Sequence, residues 1–217
     1  HWDNAGNRLN AMRGYLEAAR LNDNGMFSDR QAEIYYRKAF LCLKDIGEQV
    51  DNAKLQFDIR YNAITHTLNY SREYDQLWEE LNDLEPWIQG DRIRQIQFLG
   101  LKIPLSFSRG RKSEMLDYGR QLTEMDIQPT EERYAAASLI QLGAVVSEKS
   151  FAERILLLKQ GTEIAVRNQL YYLCVAPSTA ISILSAYLLE FQEAEAYIAE
   201  LKRMVNPSGS KELEQLI

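Results

Sequence analysis

The chain has 217 residues, of which 46% are hydrophobic and 26% are charged, a composition typical of a globular protein. Its 31 acidic residues outnumber its 25 basic residues and give a formal net charge of −6 at pH 7, whereas nucleic-acid-binding domains normally carry a basic face. The sequence has neither a signal-peptide pattern nor an apolar run of about 18 residues, the length that a membrane span needs. We therefore expect a soluble, cytoplasmic protein that binds neither nucleic acid nor membrane.

Apolar residues recur at intervals of three and four along the chain, and the alternation typical of β-strands does not occur. This spacing predicts an all-α fold of ten helices that pair in chain order. The first pair is predicted at about 4–21 and 29–46, with a turn at Asn24 and with Ser28 as the N-cap of the second helix.

The second pair is predicted at about 51–69 and 74–84, with the short polar segment YSRE between the two helices. The third pair follows at about 93–103 and 110–125. Because proline lacks a backbone N–H and clashes with the preceding turn, Pro104 predicts a kink or an early end in the first helix of this third pair.

The first helix of the fourth pair is apolar on nearly every side. Thr130 is predicted to cap it, and its body YAAASLIQLGAVV (134–146) consists mainly of small and apolar residues, which indicates a central position in the stack. We therefore expect Leu139→Ala to destabilise the protein more than Leu77→Ala. The partner helix is predicted at about 151–167.

The fifth pair is predicted at about 169–189, interrupted or bent at Pro177, and at about 192–204. Ser210 then predicts the cap of a further helix, KELEQLI, within which the sequence stops. Since His1 is not a translation start, we expect residues 1–217 to be a single helical repeat domain taken from a larger protein.

A short polar break separates the two helices of each predicted pair. The residues in corresponding places at these breaks are Tyr74, Lys112, Phe151 and Phe191, at separations of 38, 39 and 40 positions. A drifting period of this length is typical of stacked helical hairpins, of which the sequence predicts about five. Such an architecture usually holds another molecule.

Two of the repeated units carry apolar residues at three, seven and ten positions after the break residue. The matching residues are Tyr74, Leu77, Leu81 and Leu84 in one unit and Phe191, Ala194, Ile198 and Leu201 in the other. This spacing resembles the tetratricopeptide repeat, although Lys112 and Arg154 stand where that repeat has apolar residues. The longer helices are more similar to the tetratricopeptide-like superhelices of bacterial regulators, such as the sensor portions of maltose-regulator-type activators.

The resemblance implies a right-handed superhelix of antiparallel hairpins, a tetratricopeptide-like α-solenoid. It also implies a non-catalytic interaction or sensor module of a regulatory or signalling protein, which binds a protein, a peptide or another copy of itself. An alternative is the effector-binding domain of a transcription regulator, in which a closed pocket holds a small molecule. A third hypothesis is an α-helical enzyme.

A polar stripe beside the apolar stripe of the third helix is the candidate site. Asn62, His66 and Asn69 follow Ile59 at intervals of three and four, and the first helix of each tetratricopeptide hairpin lines the concave groove. By that resemblance the stripe, continued by Arg94 and Gln97, is a partner-binding row whose amides suit a peptide backbone. The alternative is ordinary polar surface or a hydrogen-bond set between helices.

Catalytic and metal-binding patterns are missing from the sequence. There are two histidines, His1 and His66, and neither Cys42 nor Cys174 has a second metal ligand nearby, so both cysteines are predicted to be buried free thiols. Glycine-rich phosphate loops and nucleophile motifs do not occur. The sequence therefore predicts no enzyme, no cofactor and no metal.

Overall fold

The computed structural model describes most of the chain. The described ranges are 7–22, 30–47, 50, 52–68, 70–145 and 150–206. Helices make up 84% of these residues and no strand occurs among them, which confirms the all-α prediction. The predicted turn at Asn24, the caps at Ser28 and Ser210, and the site residue Asn69 lie outside the described residues.

Internal contacts divide the chain into two compact units, unit 1 of residues 1–101 and unit 2 of residues 102–217. The helices of unit 1 are α1 Arg8–Asn22, α2 Arg30–Ile46, α3 Ala53–Leu68, α4 Tyr74–Asn82 and α5 Arg92–Ser108, which continues into unit 2. The helices of unit 2 are α6 Lys112–Glu124, α7 Glu132–Val145, α8 Phe151–Arg167, α9 Val175–Leu188 and α10 Phe191–Val205. That residues 1–217 form a single domain stays a prediction.

Helices α1 and α2 of unit 1 run antiparallel. The start of α1 meets the end of α2, where Arg8 and Asp45 form an ion pair of 3.2 Å, and the middle of α1 meets the first part of α2, where Tyr15 and Tyr35 stack with ring centroids 6.4 Å apart. Fully buried apolar side chains from α1, α2 and α3 form the core of this unit, with Met12, Leu43 and Ile59 among them.

Three local predictions are corrected by the structure. Helix α5 runs past Pro104 to Ser108, so the early end does not occur, and the kink stays a prediction; burial of Ile103 and Leu105 offsets the single hydrogen bond that proline cannot donate. Helix α9 begins only at Val175, after a 3₁₀ segment, which places Pro177 in its first turn, where a missing N–H costs nothing.

The third correction concerns the start of α7. This helix begins at Glu132, so the capping position falls on Glu131 and not on Thr130. A turn over the preceding residues decides this, since the amides of Glu131 and Glu132 both donate to the carbonyl of Gln128. The Glu131 carboxylate in return accepts a hydrogen bond of 3.0 Å from the Gln128 amide.

The four break residues are the first residues of α4, α6, α8 and α10. Of the twelve positions three, seven and ten after these starts, ten are buried and two, Arg154 and Ile198, are half-buried; Leu84 lies just beyond the end of α4. The buried residues at these positions are Leu77, Leu81 and Leu84; Met115, Gly119 and Leu122; Leu158 and Gly161; and Ala194 and Leu201. The four helices therefore share one register of burial, although the sequence pattern is clear in only two of them.

Arg154 stands at the first of these positions in α8 and is half-buried. Its guanidinium donates to the carbonyl oxygens of Gly143, at 3.0 Å, and Ala144. The last carbonyls of a helix have no intrahelical donor, so the cation satisfies the carboxyl end of α7 and complements its dipole. This explains a basic residue where the tetratricopeptide pattern has an apolar one.

Glycines bring α7 and α8 into close antiparallel contact. A Cβ atom on Gly143 would lie 2.8 Å from the carbonyl oxygen of Arg154, and one on Gly161 would lie 3.0 Å from that of Ala136. Because backbone atoms cannot move aside as a side chain can, both positions require glycine. The contact keeps the two helices in one register.

Gly143→Ala and Gly161→Ala are each expected to destabilise the protein by about 1–3 kcal/mol, as overpacking does. At buried Gly119 an added Cβ would meet only the end of the Leu142 side chain, so Gly119→Ala should cost less. At exposed Gly14 it would meet nothing, and alanine should stabilise α1 by about 0.5–1 kcal/mol. Urea denaturation of the four variants checks this order, and equal costs at Gly143 and Gly119 would contradict it.

Candidate functional site

The residues of the predicted stripe on α3 face different surroundings. His66 is buried, and its ring stacks on Tyr36 of α2 with centroids 4.8 Å apart. Asn62 is half-buried, and its amide donates to the carbonyl oxygen of Asp58 at 2.8 Å. His66 is therefore placed to hold α2 and α3 together, which leaves little of its ring accessible to a partner.

Arg94 of α5 is held by several groups of unit 1. Its guanidinium donates to the carbonyl oxygen of Trp87 at 3.0 Å, lies 3.2 Å from the carboxylate of Asp91, and sits 5.1 Å from the centroid of the Phe57 ring. Asp91 also caps α5 by accepting a bond of 3.1 Å from the Arg94 amide. Gln97 is half-buried on the same helix.

His66 therefore lies against α2, whereas Arg94 lies against Phe57 and Trp87. These two residues of the predicted row are in different environments. Asp58 of α3 is partly buried, and this burial raises the pKa of its carboxyl despite the nearby cations of Lys54 and Arg94. That the row of residues contacts a partner stays a prediction.

A surface cleft of about 490 Å³ lies elsewhere in unit 1, between α2 and α4. We call it the α2–α4 cleft. Its lining residues are Arg30, Glu33, Arg37, Phe40, Leu41, Lys44, Thr67, Tyr70, Ser71, Glu73, Gln76 and Glu80. Of these, Thr67 alone comes from α3, so the cleft is formed mainly by second helices of the predicted hairpins, together with the break between α3 and α4.

A hydrogen-bonded ion pair forms the floor of the α2–α4 cleft. Arg37 lies 2.6 Å from Glu80, and it also donates to the Thr67 hydroxyl at 2.6 Å. The remaining Glu80 oxygen accepts a bond of 3.0 Å from the Gln76 amide. The Glu80 side chain is only 7% exposed and that of Arg37 is 20% exposed, so the floor is a fixed polar network that binds α2, α3 and α4 together.

The rim of the cleft combines exposed apolar side chains with charges. Leu41 is 59% exposed and Tyr70 is also exposed, although leucine and tyrosine gain most by burial. Nearby, the Lys44 ammonium lies 4.8 Å from the centroid of the Phe40 ring. Apolar anchors within a charged rim are the usual anatomy of a protein-binding surface.

The two walls of the α2–α4 cleft differ in charge. Outside the paired floor, the α2 wall carries Arg30, Lys44 and Glu33, whereas the opposite wall carries Glu73. The site was not predicted from the sequence, although a signal for it exists: Arg37, Leu41 and Lys44 follow one another at intervals of four and three and so share one face of α2. Nothing in the sequence shows that α4 completes that face.

Within the described ranges, no three His, Cys, Asp or Glu side chains are placed to hold a metal ion. Cys42 and Cys174 are buried free thiols, as predicted. Burial raises the pKa of Cys174 to about 12, which keeps it protonated and unreactive at neutral pH. Among the described helices, none combines the length and apolarity that crossing a membrane requires.

Comparison of the chain with protein-family models, with curated protein sequences and with solved structures found no match. The α2–α4 cleft exposes Leu41 and Tyr70 beside a floor whose polar groups are already paired.

Proposed function

We propose that this chain is a non-catalytic, tetratricopeptide-like interaction module of a regulatory or signalling protein, and that the α2–α4 cleft binds a segment of a partner protein. The observation that carries the proposal is the pair of exposed apolar residues, Leu41 and Tyr70, beside a cleft that carries Arg30 and Lys44 on one wall and Glu73 on the other. The shared burial register of α4, α6, α8 and α10 supports the repeat architecture.

A peptide suits this cleft because it can offer both an apolar side chain and charged side chains to the lining residues. An apolar side chain of the partner would cover Leu41 and Tyr70, and removal of this surface from water supplies affinity. Charged residues of the partner would face Arg30 and Lys44 on one wall and Glu73 on the other, which fixes its direction. The paired floor of Arg37 and Glu80 needs no ligand to satisfy it.

The volume of the cleft favours a second candidate function, the binding of a small-molecule effector. Pockets for small ligands span roughly 300–1,000 Å³, and the cleft, at about 490 Å³, falls within this range. Such pockets are mostly apolar and enclosed, however, whereas the walls here are charged and Leu41 and Tyr70 are exposed. The peptide proposal fits these features better.

The test is a selection of random displayed peptides against the whole chain, followed by titration of the enriched peptides. We expect peptides with an apolar residue flanked by charges, and we expect Leu41→Ser/Tyr70→Ser to weaken their binding by about tenfold or more, since two anchor side chains are lost. The matched control is Leu21→Ser, which removes an exposed leucine of α1 outside the cleft.

Peptides that bind the double variant as tightly as the native chain would contradict the cleft as the binding site. A metabolite panel provides the other arm of the test. The effector-binding function would replace the peptide-binding one if two results came together. No peptide would be enriched, and a small molecule would raise the melting temperature of the native chain but not that of an Arg37→Leu/Glu80→Leu variant.

A further inference from the structure

Unit 2 exposes large apolar side chains where α8 begins and α9 ends. Tyr187 is 70% exposed, and Ile183, one turn earlier on the same face of α9, is also exposed. Phe151, the first residue of α8, is partly exposed, and its ring centroid lies 5.4 Å from that of Tyr187. We call these three residues the aromatic face; a contiguous apolar surface of this kind is typical of an interaction site.

The turn after α9 adds two further exposed apolar residues, Leu189 and Phe191. Leu189 has a left-handed backbone, with φ of 60°, and is 78% exposed. The Glu190 amide donates to the Ser185 carbonyl at 3.0 Å, which closes the turn. A left-handed backbone strains a residue that has a Cβ atom. An exposed leucine in this conformation therefore stabilises the fold neither through its backbone nor through burial of its side chain.

The turn at the end of α5 shows which residue stability alone would favour at the position of Leu189. There Gly110 occupies the same position of the same turn, with φ of 70°, and the Arg111 amide donates to the Ser106 carbonyl at 2.8 Å. Glycine has no Cβ and adopts this conformation without strain. A strained, exposed apolar residue beside the aromatic face is the kind of outlier that marks a contact surface.

Charge decides which molecule can cover the aromatic face. Among the described residues that adjoin it in the sequence, Glu153, Glu190 and Glu193 are acidic. Among these described neighbours one residue is basic, Arg154, and its guanidinium already donates to carbonyl oxygens of α7 and lies 5.9 Å from the centroid of the Phe151 ring. A second copy of the chain would bring acidic residues together, and an anionic lipid surface would be repelled.

We infer that the aromatic face of unit 2 binds a basic amphipathic helix of a partner protein. Apolar residues of that helix, spaced at three and four, would cover Ile183, Tyr187 and Phe151, and flanking Lys or Arg residues would face Glu190 and Glu193. This site is separate from the α2–α4 cleft, so the failure of either proposal leaves the other standing.

The probe is a fluorescent synthetic peptide of leucine and lysine with the apolar spacing of an amphipathic helix, titrated into the whole chain by fluorescence anisotropy. We expect Ile183→Ser/Tyr187→Ser to weaken binding by about tenfold or more. Glu190→Gln/Glu193→Gln should also weaken binding and flatten its dependence on salt. Both side chains of the first pair are exposed, so the fold should tolerate their replacement.

Leu156→Ser is the matched control, because Leu156 is an exposed leucine on another face of α8; its binding should equal that of the native chain. A peptide with glutamate in place of lysine should not bind. Equal affinity for native chain and Ile183→Ser/Tyr187→Ser would overturn the proposal. Two further results would overturn the proposal: dimerisation of the chain in sedimentation, or adsorption of the chain to phosphatidylserine vesicles, in either case abolished by Ile183→Ser/Tyr187→Ser.

Discussion

Glu80→Leu is expected to lower the free energy of unfolding by about 3 kcal/mol, because it removes the anion of a largely buried ion pair. Arg37 would keep its bond to the Thr67 hydroxyl but would lose its countercharge at 2.6 Å. Arg60 would lose one of its two nearby anions, Glu80 and Asp83. Arg37 would then lack its ion-pair partner, while Arg60 would keep only Asp83.

The double variant Arg37→Leu/Glu80→Leu should recover much of this loss, since both charges leave the interior together. The control Asp45→Leu breaks the exposed pair with Arg8 and should change stability by no more than about 1 kcal/mol. Urea denaturation with a constant m-value measures all three. A cost for Glu80→Leu as small as that for Asp45→Leu would show that the floor of the cleft does not stabilise unit 1.

Leu77→Ala is expected to cost about 2–5 kcal/mol, and more than Leu139→Ala. Leu77 is almost fully buried on the inner face of α4, whereas Leu139 is half-buried on α7. A half-buried leucine loses less transfer free energy on truncation and leaves a smaller cavity. The expected order is the reverse of the one that the apolar sequence of α7 predicts.

The reason for the reversal lies in how α7 packs. It contacts α6, α8 and α9, as a central helix should, yet Ala137 is exposed and Leu139 is only half-buried. Its fully enclosed positions are taken instead by residues such as Ala135 and Ala136. Chemical denaturation of the two leucine variants tests this, and a larger cost for Leu139→Ala would restore the sequence-based order.

Local sequence was sufficient for much of the fold. Apolar spacing of three and four located the ten α-helices found among the described residues, and the break residues Tyr74, Lys112, Phe151 and Phe191 proved to be the first residues of four of them. These features depend on contacts within a few turns of chain, which periodicity records directly. The buried free state of Cys42 and Cys174 was likewise predictable from apolar neighbours.

Burial of single side chains and the composition of the cleft were decided by tertiary packing. The polar stripe of α3 and the charged face of α2 look alike in the sequence, but His66 stacks on Tyr36, whereas Arg37 meets Glu80 of α4 across 43 positions of chain. Helical periodicity identifies which residues share a face and cannot identify the helix that covers it, because that depends on long-range complementarity of shape and charge.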